Sequence, residues 1–169
     1  MAILAAVNGE SVPDRVVTVA NDLATAHDTD LVVLHVMNQE LFDQRREASP
    51  GSGSNPTLPL APSIDYGQSR SERSGGSGDR RYTIEDGSKD ATSVAEDVVE
   101  QTLDTHRDVR CRGRVGNPVE EVLSEAERID AKYLVIGGRQ RSPAGKVVFG
   151  STTQSILLNA DIPVMTVMD

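Results

Sequence analysis

An α/β domain built on a mostly parallel sheet is the fold that this 169-residue sequence predicts. Five short apolar runs, rich in Val, Ile and Leu, alternate strictly with four stretches of helical spacing. That succession is the one parallel strands with helical crossovers require. The early runs are also continuous rather than alternating, as in strands buried on both faces.

Ile3 to Val7 is the first strand, and Asn8-Gly9 breaks it. Ser11 stands where it could cap the next helix, with Pro13 in a first turn that tolerates a missing N–H. Val12, Val16, Val19, Ala20, Leu23 and Ala24 form one apolar stripe, and Val17 falls just beside it. Leu31 to Met37 is the second strand. From about Asp43 to Gly87 the chain turns to Ser, Gly, Pro and charge, which bury too little apolar surface to offset the entropy of ordering. Residues 43–87 therefore read as a disordered or flexible insertion within a single domain spanning 1–169. Neither Gly51-x-Gly53 nor Gly75-Gly76-x-Gly78 follows a strand or opens a helix, so neither is a dinucleotide fingerprint.

Periodicity returns near Ser88. Ala91, Val94, Ala95, Val98, Val99 and Leu103 make a long amphipathic helix ending near His106. Val109 to Val115 alternates apolar and basic, which suits a strand with one wet face near a sheet edge. Asn117 is the N-cap of the next helix, with Pro118 at its first position and Glu120 and Glu121 set against the dipole. Val119, Val122, Leu123 and Ala126 supply that helix's buried face, and Ile129 closes it. Tyr133 to Ile136 is the fourth strand. A last helix from about Thr152 to Asn159 buries Ile156 and Leu157, and Val164 to Met168 is the fifth strand.

Composition narrows the function. The net charge of −9 argues against sequence-independent binding to nucleic acid or to an anionic membrane, either of which needs a basic face. Trp is absent and aromatics are 3% of the chain, so stacking platforms for single strands are not expected. The single cysteine, Cys111, excludes an intrachain disulfide and a cysteine metal cluster, and reads as a small packed residue. The N-terminus lacks a basic signal-type region, and a cytoplasmic protein is the expectation.

Against that acidity, Ala131 to Ala160 contains no Asp or Glu but holds Lys132, Arg139, Arg141 and Lys146. The fourth strand stops at Gly137-Gly138, a basic loop follows, and a helix begins near Gly150-Ser151-Thr152. A strand, a Gly-rich basic loop and a helix N-terminus together suit an anion, because the first N–H groups of a helix lack partners and carry partial positive charge. Gly137 and Gly138 would admit a ligand close to the backbone. Ser151-Thr152-Thr153-Gln154 is also a capping box, so Ser151 could start the helix with its own side chain. The loop is not a Walker P-loop: Gly138 lies too far from Gly145-Lys146, and Val147 stands where a magnesium-binding Ser or Thr is needed.

The spacing resembles a different pattern. Gly137, two residues, Gln140, nine residues from Arg141 to Phe149, then Gly150-Ser151 is similar to the ATP-binding motif of the universal stress protein family. AAVNGE after the first strand, LVVLHV as the second, VGNPVEEVLSEAERIDAKYLVIGGR and the terminal NADIPVMTVM resemble the same family. Two residues depart from it. Gln140 replaces the usual second Gly of the motif, and Asn8 replaces the common Asp after the first strand.

The resemblance implies an open, Rossmann-like five-stranded parallel sheet in order 3-2-1-4-5 with helices on both faces, of the adenine nucleotide alpha hydrolase type. It implies ATP, AMP or ADP as ligand, with magnesium alongside, and places Asn8, Val36, Ile136, Gly137, Arg139, Gln140, Gly150, Ser151 and Thr152 around it. Arg141 and Lys146 are candidates for phosphate charge. A homodimer through Val164 to Met168 and a role as a stress-response regulator are implied too. The alternative is a dimeric interaction module of the same fold that has lost nucleotide binding. A nucleotide-using transferase or ligase rests on fold analogy alone. His35 reads as a packed strand histidine, and no residues with catalytic-triad or metal-ligand spacing are found, so no catalytic residue is assigned.

Overall fold

The apolar runs become the interior strands of one sheet. In the computed structural model, which describes residues 1–10, 14–49, 81–104, 109–138 and 149–168, the strands are β1 (Ala2–Val7), β2 (Asp30–Met37), β3 (Val109–Val115), β4 (Ala131–Gly138) and β5 (Val164–Met168). All neighbours are parallel and the order is β3-β2-β1-β4-β5. The helices are α1 (Arg15–Ala26), α2 (Gln39–Ala48), α3 (Ile84–Thr102), α4 (Pro118–Arg128) and α5 (Ser151–Asn159).

Alternate residues of each interior strand face opposite layers, so continuous apolar runs supply two cores at once. Ile3, Ala5, Leu31, Val33 and Val135 pack under α1 and α3, whereas Leu4, Val32, Leu34, Leu134 and Ile136 pack under α4 and α5. Helices therefore cover both faces.

Several local expectations change. Asp14, not Ser11, caps α1: its side chain accepts the Val16 N–H at 2.7 Å, while Ser11 to Pro13 lie outside the described residues. Val17, expected beside the stripe, is fully buried. Leu157, expected in the core of the last helix, is exposed, and the buried partners of that helix are Thr153 and Ile156. The capping box at Ser151 does not form, because Gly150 is the N-cap and no side chain among the described residues caps the helix.

The edges of the expected insertion are ordered further inward than 43–87. α2 runs to Ala48 and α3 already begins at Ile84, while 50–80 lie outside the described residues. The cause is a small third core that local composition conceals. Phe42 on α2 is buried with Met37 and Ala91, and its ring meets Tyr82 at a centroid distance of 5.6 Å. A Cβ at Gly87 would lie 2.8 Å from Val115 and 2.9 Å from Phe42, so that glycine permits the close packing. Asp90 completes the join by accepting hydrogen bonds from Tyr82 Oη at 2.6 Å and from Arg45. One aromatic residue in a polar helix anchors the segment.

The wet face of β3 carries its own charge arrangement. Glu125 on α4 is 1% exposed, and it accepts hydrogen bonds from Arg114 at 2.9 Å and from Arg128. Burial alone would raise the Glu125 carboxyl, but the hydrogen bonds from Arg128 and Arg114 outweigh it and hold the group below its ordinary value. A core position of α4 is thus filled by a paired charge.

Candidate functional site

The chain runs outward from β1 to β2 and β3, then returns across β1 to β4 and β5. Strand order reverses between β1 and β4, and open parallel sheets form their crevice beyond the strand ends at such a point. Here that crevice has a volume of about 890 Å³. Its lining includes Asn8, Val36, Ile136, Gly137, Gly150, Ser151 and Thr152, so residues far apart in sequence meet at one place. Arg139, Gln140, Arg141 and Lys146 lie outside the described residues.

Three strand ends and the starts of four helices build the walls. From β2 come His35, Val36 and Met37, joined by Leu41 of α2 and by Pro118 and Val122 of α4. That side is largely apolar. At the opposite side the first turn of α5 faces the end of β4. Thr153 Oγ1 donates to the Gly137 carbonyl at 3.0 Å and fixes the helix start over the strand. Gly150 has extended backbone (φ −64°, ψ 159°), and a Cβ there would meet nothing within 4 Å. The α5 terminus therefore opens on the crevice, and no side chain among the described residues caps its N–H groups.

The two motif glycines have different reasons. A Cβ on Gly137 would make only an ordinary 3.6 Å contact with Val16. A Cβ on Gly138 would lie 2.4 Å from the Met168 sulfur, so Gly138 serves the packing of β5. Of the pair, Gly137 is exposed and Gly138 is buried.

Between the two walls sits the turn after β1. Gly9 has φ of +74°, a conformation that favours glycine, and a Cβ there would lie 2.6 Å from Val94 of α3. The turn folds the Asn8 side chain back on its neighbour: Glu10 N–H donates to Asn8 Oδ1 at 3.0 Å, and Asn8 Nδ2 donates to Glu10 Oε2 at 3.2 Å. Glu10, missed from sequence, lines the crevice. The signal that could have found it is its place immediately beyond a strand end.

His35 also borders the crevice. Its Nδ1 lies 3.0 Å from the Val7 carbonyl, which can only accept, so that nitrogen carries the proton. Burial pushes the imidazole below its ordinary value of 6.5, against the opposing pull of the Val7 bond. The unfolded chain therefore binds a proton that the folded chain resists, and stability is lost as pH falls below about 6.5. Urea midpoints measured from pH 8 to pH 5 should drop below 6.5 in the natural protein and flatten in His35→Gln. Glu125 acts in a separate, more acidic window, since its depressed carboxyl stabilises above its ordinary value of 4.5 and ceases to as pH falls through the folded value. A His35→Gln profile identical to the natural one would show that imidazole burial has no part in the first window.

Cys111 is half-buried, and burial together with Glu96 and Glu100 pushes its thiol up to about 11, which suits packing rather than reactivity. Among the described residues, no group of three or more His, Cys, Asp or Glu is arranged to hold a metal ion, and no helix is long and apolar enough to cross a membrane.

The strand order and its helices define a Rossmann-like α/β domain with a crevice at the reversal of its sheet. The chain belongs to the universal stress protein family, whose model matches residues 1–168. It is 36% identical over 52 residues to the stress response protein NhaX of Bacillus subtilis, a match covering 31% of each chain. It is 46% identical over 48 residues to a universal stress protein of Mycolicibacterium smegmatis, covering 28% of this chain and 37% of that one. The chain thus aligns with about a third of the length of each of these relatives. Solved structures share the fold across nearly the whole chain. A universal stress protein from Archaeoglobus fulgidus in complex with dAMP has 20% identity and a TM-score of 0.52, covering 98% of this chain and 96% of that one. A universal stress protein in complex with cAMP has 17% identity and a TM-score of 0.52, covering 99% and 96%.

Proposed function

We propose that the crevice binds an adenine nucleotide and that the protein acts as a stress-response regulator through that binding. The observation that carries the reading is the meeting of Asn8, Val36, Ile136, Gly137, Gly150, Ser151 and Thr152 in one crevice whose far wall is a helix N-terminus with no side-chain cap among the described residues. Phosphate is suited to that wall, because unpaired N–H groups and the helix dipole both favour an anion. Arg139, Arg141 and Lys146, in the segment joining β4 to α5, supply further positive charge for it, and the Gln140 amide can donate to an oxygen. The base lies toward Val36, where the wall is apolar. ATP, ADP and AMP all carry the required groups, and magnesium accompanying ATP would be held through the phosphates. Neighbours solved with cAMP and dAMP support an adenine nucleotide as the ligand class.

The protein works as a homodimer joined through β5, in the cytoplasm. The outer edge of β5 pairs with no strand among the described residues, and Met165 on it is 39% exposed. Unpaired apolar edges invite a cover.

Titration calorimetry with ATP and with AMP tests the nucleotide reading. At about 100 μM protein, heat should accompany binding of at least one, since any Kd below ~100 μM registers there. Silence with both would overturn it and favour the second reading, an interaction module that no longer binds nucleotide. The observation on that side is the Glu10 carboxylate on the crevice wall, with the Asn8 side chain already engaged by it. Affinity gained only in Gln140→Gly would decide for the module.

A further inference from the structure

β3 is an edge strand, paired only with β2 among the described residues, so its outer N–H and C=O groups meet no further strand there. Its alternation puts Val109 and Cys111 under α3 and turns Arg110, Arg112 and Arg114 to the opposite face. Arg128 of α4 joins them, and all four side chains are 40–56% exposed. Two carboxylates answer them: Asp30 pairs with Arg110, and the buried Glu125 pairs with Arg114 and Arg128. Four guanidiniums against two carboxylates leave a surplus of two positive charges, in a chain whose net charge is −9. Arg112 is the least engaged, with its Nε 3.9 Å from Glu125 Oε1, beyond hydrogen-bond reach. We propose that this face and the outer edge of β3 dock an acidic, extended segment of a protein partner. The segment adds as a sixth strand and sets Asp or Glu at alternate positions against Arg110, Arg112 and Arg114.

A peptide beside an open edge gains main-chain hydrogen bonds, and its alternate side chains fall on one face of the sheet. On the arginine face they stand opposite Arg110, Arg112 and Arg114, where cross-strand pairs of opposite charge are favourable. Two arginines are held in advance. Glu125 Oε2 accepts from Arg114 Nη2 and from Arg128 Nε, each at 2.9 Å. A guanidinium has five N–H donors, so that grip leaves others for an incoming carboxylate. A second copy of this chain is a poor occupant of the edge, since its own β3 would set like charges against these arginines. Residues 51–80 suit it no better, because Arg70, Arg73 and Arg80 cancel Asp65, Glu72 and Asp79 in formal charge. An acidic partner segment supplies what both lack.

Fluorescence anisotropy tests this with a labelled peptide carrying Glu at three alternate positions and Thr between them, at about 50 mM salt, where screening is weak. The natural protein should bind it with a Kd below about 1 mM. The same peptide with Gln for each Glu should bind at least about tenfold more weakly, since three ion pairs are lost. A peptide of the same charge with its three Glu contiguous sets only two of them on the face, and should bind about threefold more weakly. Arg112→Gln, which takes no hydrogen bond from Glu125, should also cost about threefold. Lys89→Gln, the loss of an exposed charge on α3, should bind as the natural protein does. Failure to bind, equal affinity for the alternating and contiguous peptides, or full affinity in Arg112→Gln would each overturn the proposal. So would self-association, read by sedimentation, that Arg112→Gln abolishes, because the face would then belong to a second copy. The nucleotide reading concerns other residues and stands or falls separately.

Discussion

Gly113→Ala should destabilise the protein by about 3 kcal/mol or more, the upper range for forcing atoms into a packed interior. A Cβ at this position of β3 would lie 2.1 Å from the Ser88 carbonyl oxygen and 2.2 Å from the Thr92 nitrogen. Both are backbone atoms of α3, so no side chain can rotate aside. The helix would have to withdraw, opening the contacts that Ala95, Val98 and Val99 make with the sheet. Urea unfolding should show a lower midpoint, and thermal unfolding a Tm down by roughly 6–12 °C for a chain of this size. Gly137→Ala is the contrast, because its Cβ would meet only Val16 at 3.6 Å. That variant should change stability by less than about 0.5 kcal/mol. Equal losses in the two variants would show that backbone proximity at Gly113 is not what its glycine serves.

Gly150→Asp should separate stability from binding. The position is an N-cap with extended backbone and open space where a Cβ would sit, so an aspartate fits. Its carboxylate would cap the α5 terminus and offset the dipole, raising stability by a few tenths of a kcal/mol. The same carboxylate would occupy the anion wall and repel phosphate. Nucleotide affinity should fall tenfold to a hundredfold, about 1.4–2.7 kcal/mol by the usual conversion. Calorimetry and a melt on the same sample read both signs. Affinity unchanged in a stabilised variant would move the phosphates away from α5.

Much of the fold was legible in local pattern. The run Ile3 to Val7, the alternation of Val109 to Val115 and the Asn117-Pro118 helix entry each matched an element, because burial and capping act residue by residue and leave a period or a residue type behind. α2 was not legible. Its sequence QELFDQRREA is polar apart from Leu41, Phe42 and the final Ala48, and the ring of Phe42 finds its core only when α3 and the ends of β2 and β3 come beside it. Glu125 was hidden for a related reason. A carboxylate in a buried position is favourable only with Arg114 and Arg128 at hand, and Arg114 comes from another element.

For the site, the Gly137 to Ser151 spacing picked out one wall of the crevice, and the motif likeness picked out residues of β1 and β2 that border it. Ser151 illustrates the limit of local reading: its capping-box pattern was present, yet the N-cap position falls to Gly150, one residue earlier. Sequence alone determined the alternating α/β plan, the glycine-rich basic loop and the acidity around it, all properties of neighbours in the chain. Tertiary structure decided that Asn8 and Glu10 stand between the Val36 wall and the α5 terminus, since that depends on β1 pairing with both β2 and β4. Pairing of strands distant in sequence is set by the summed burial of two cores, and no single stretch of residues carries it.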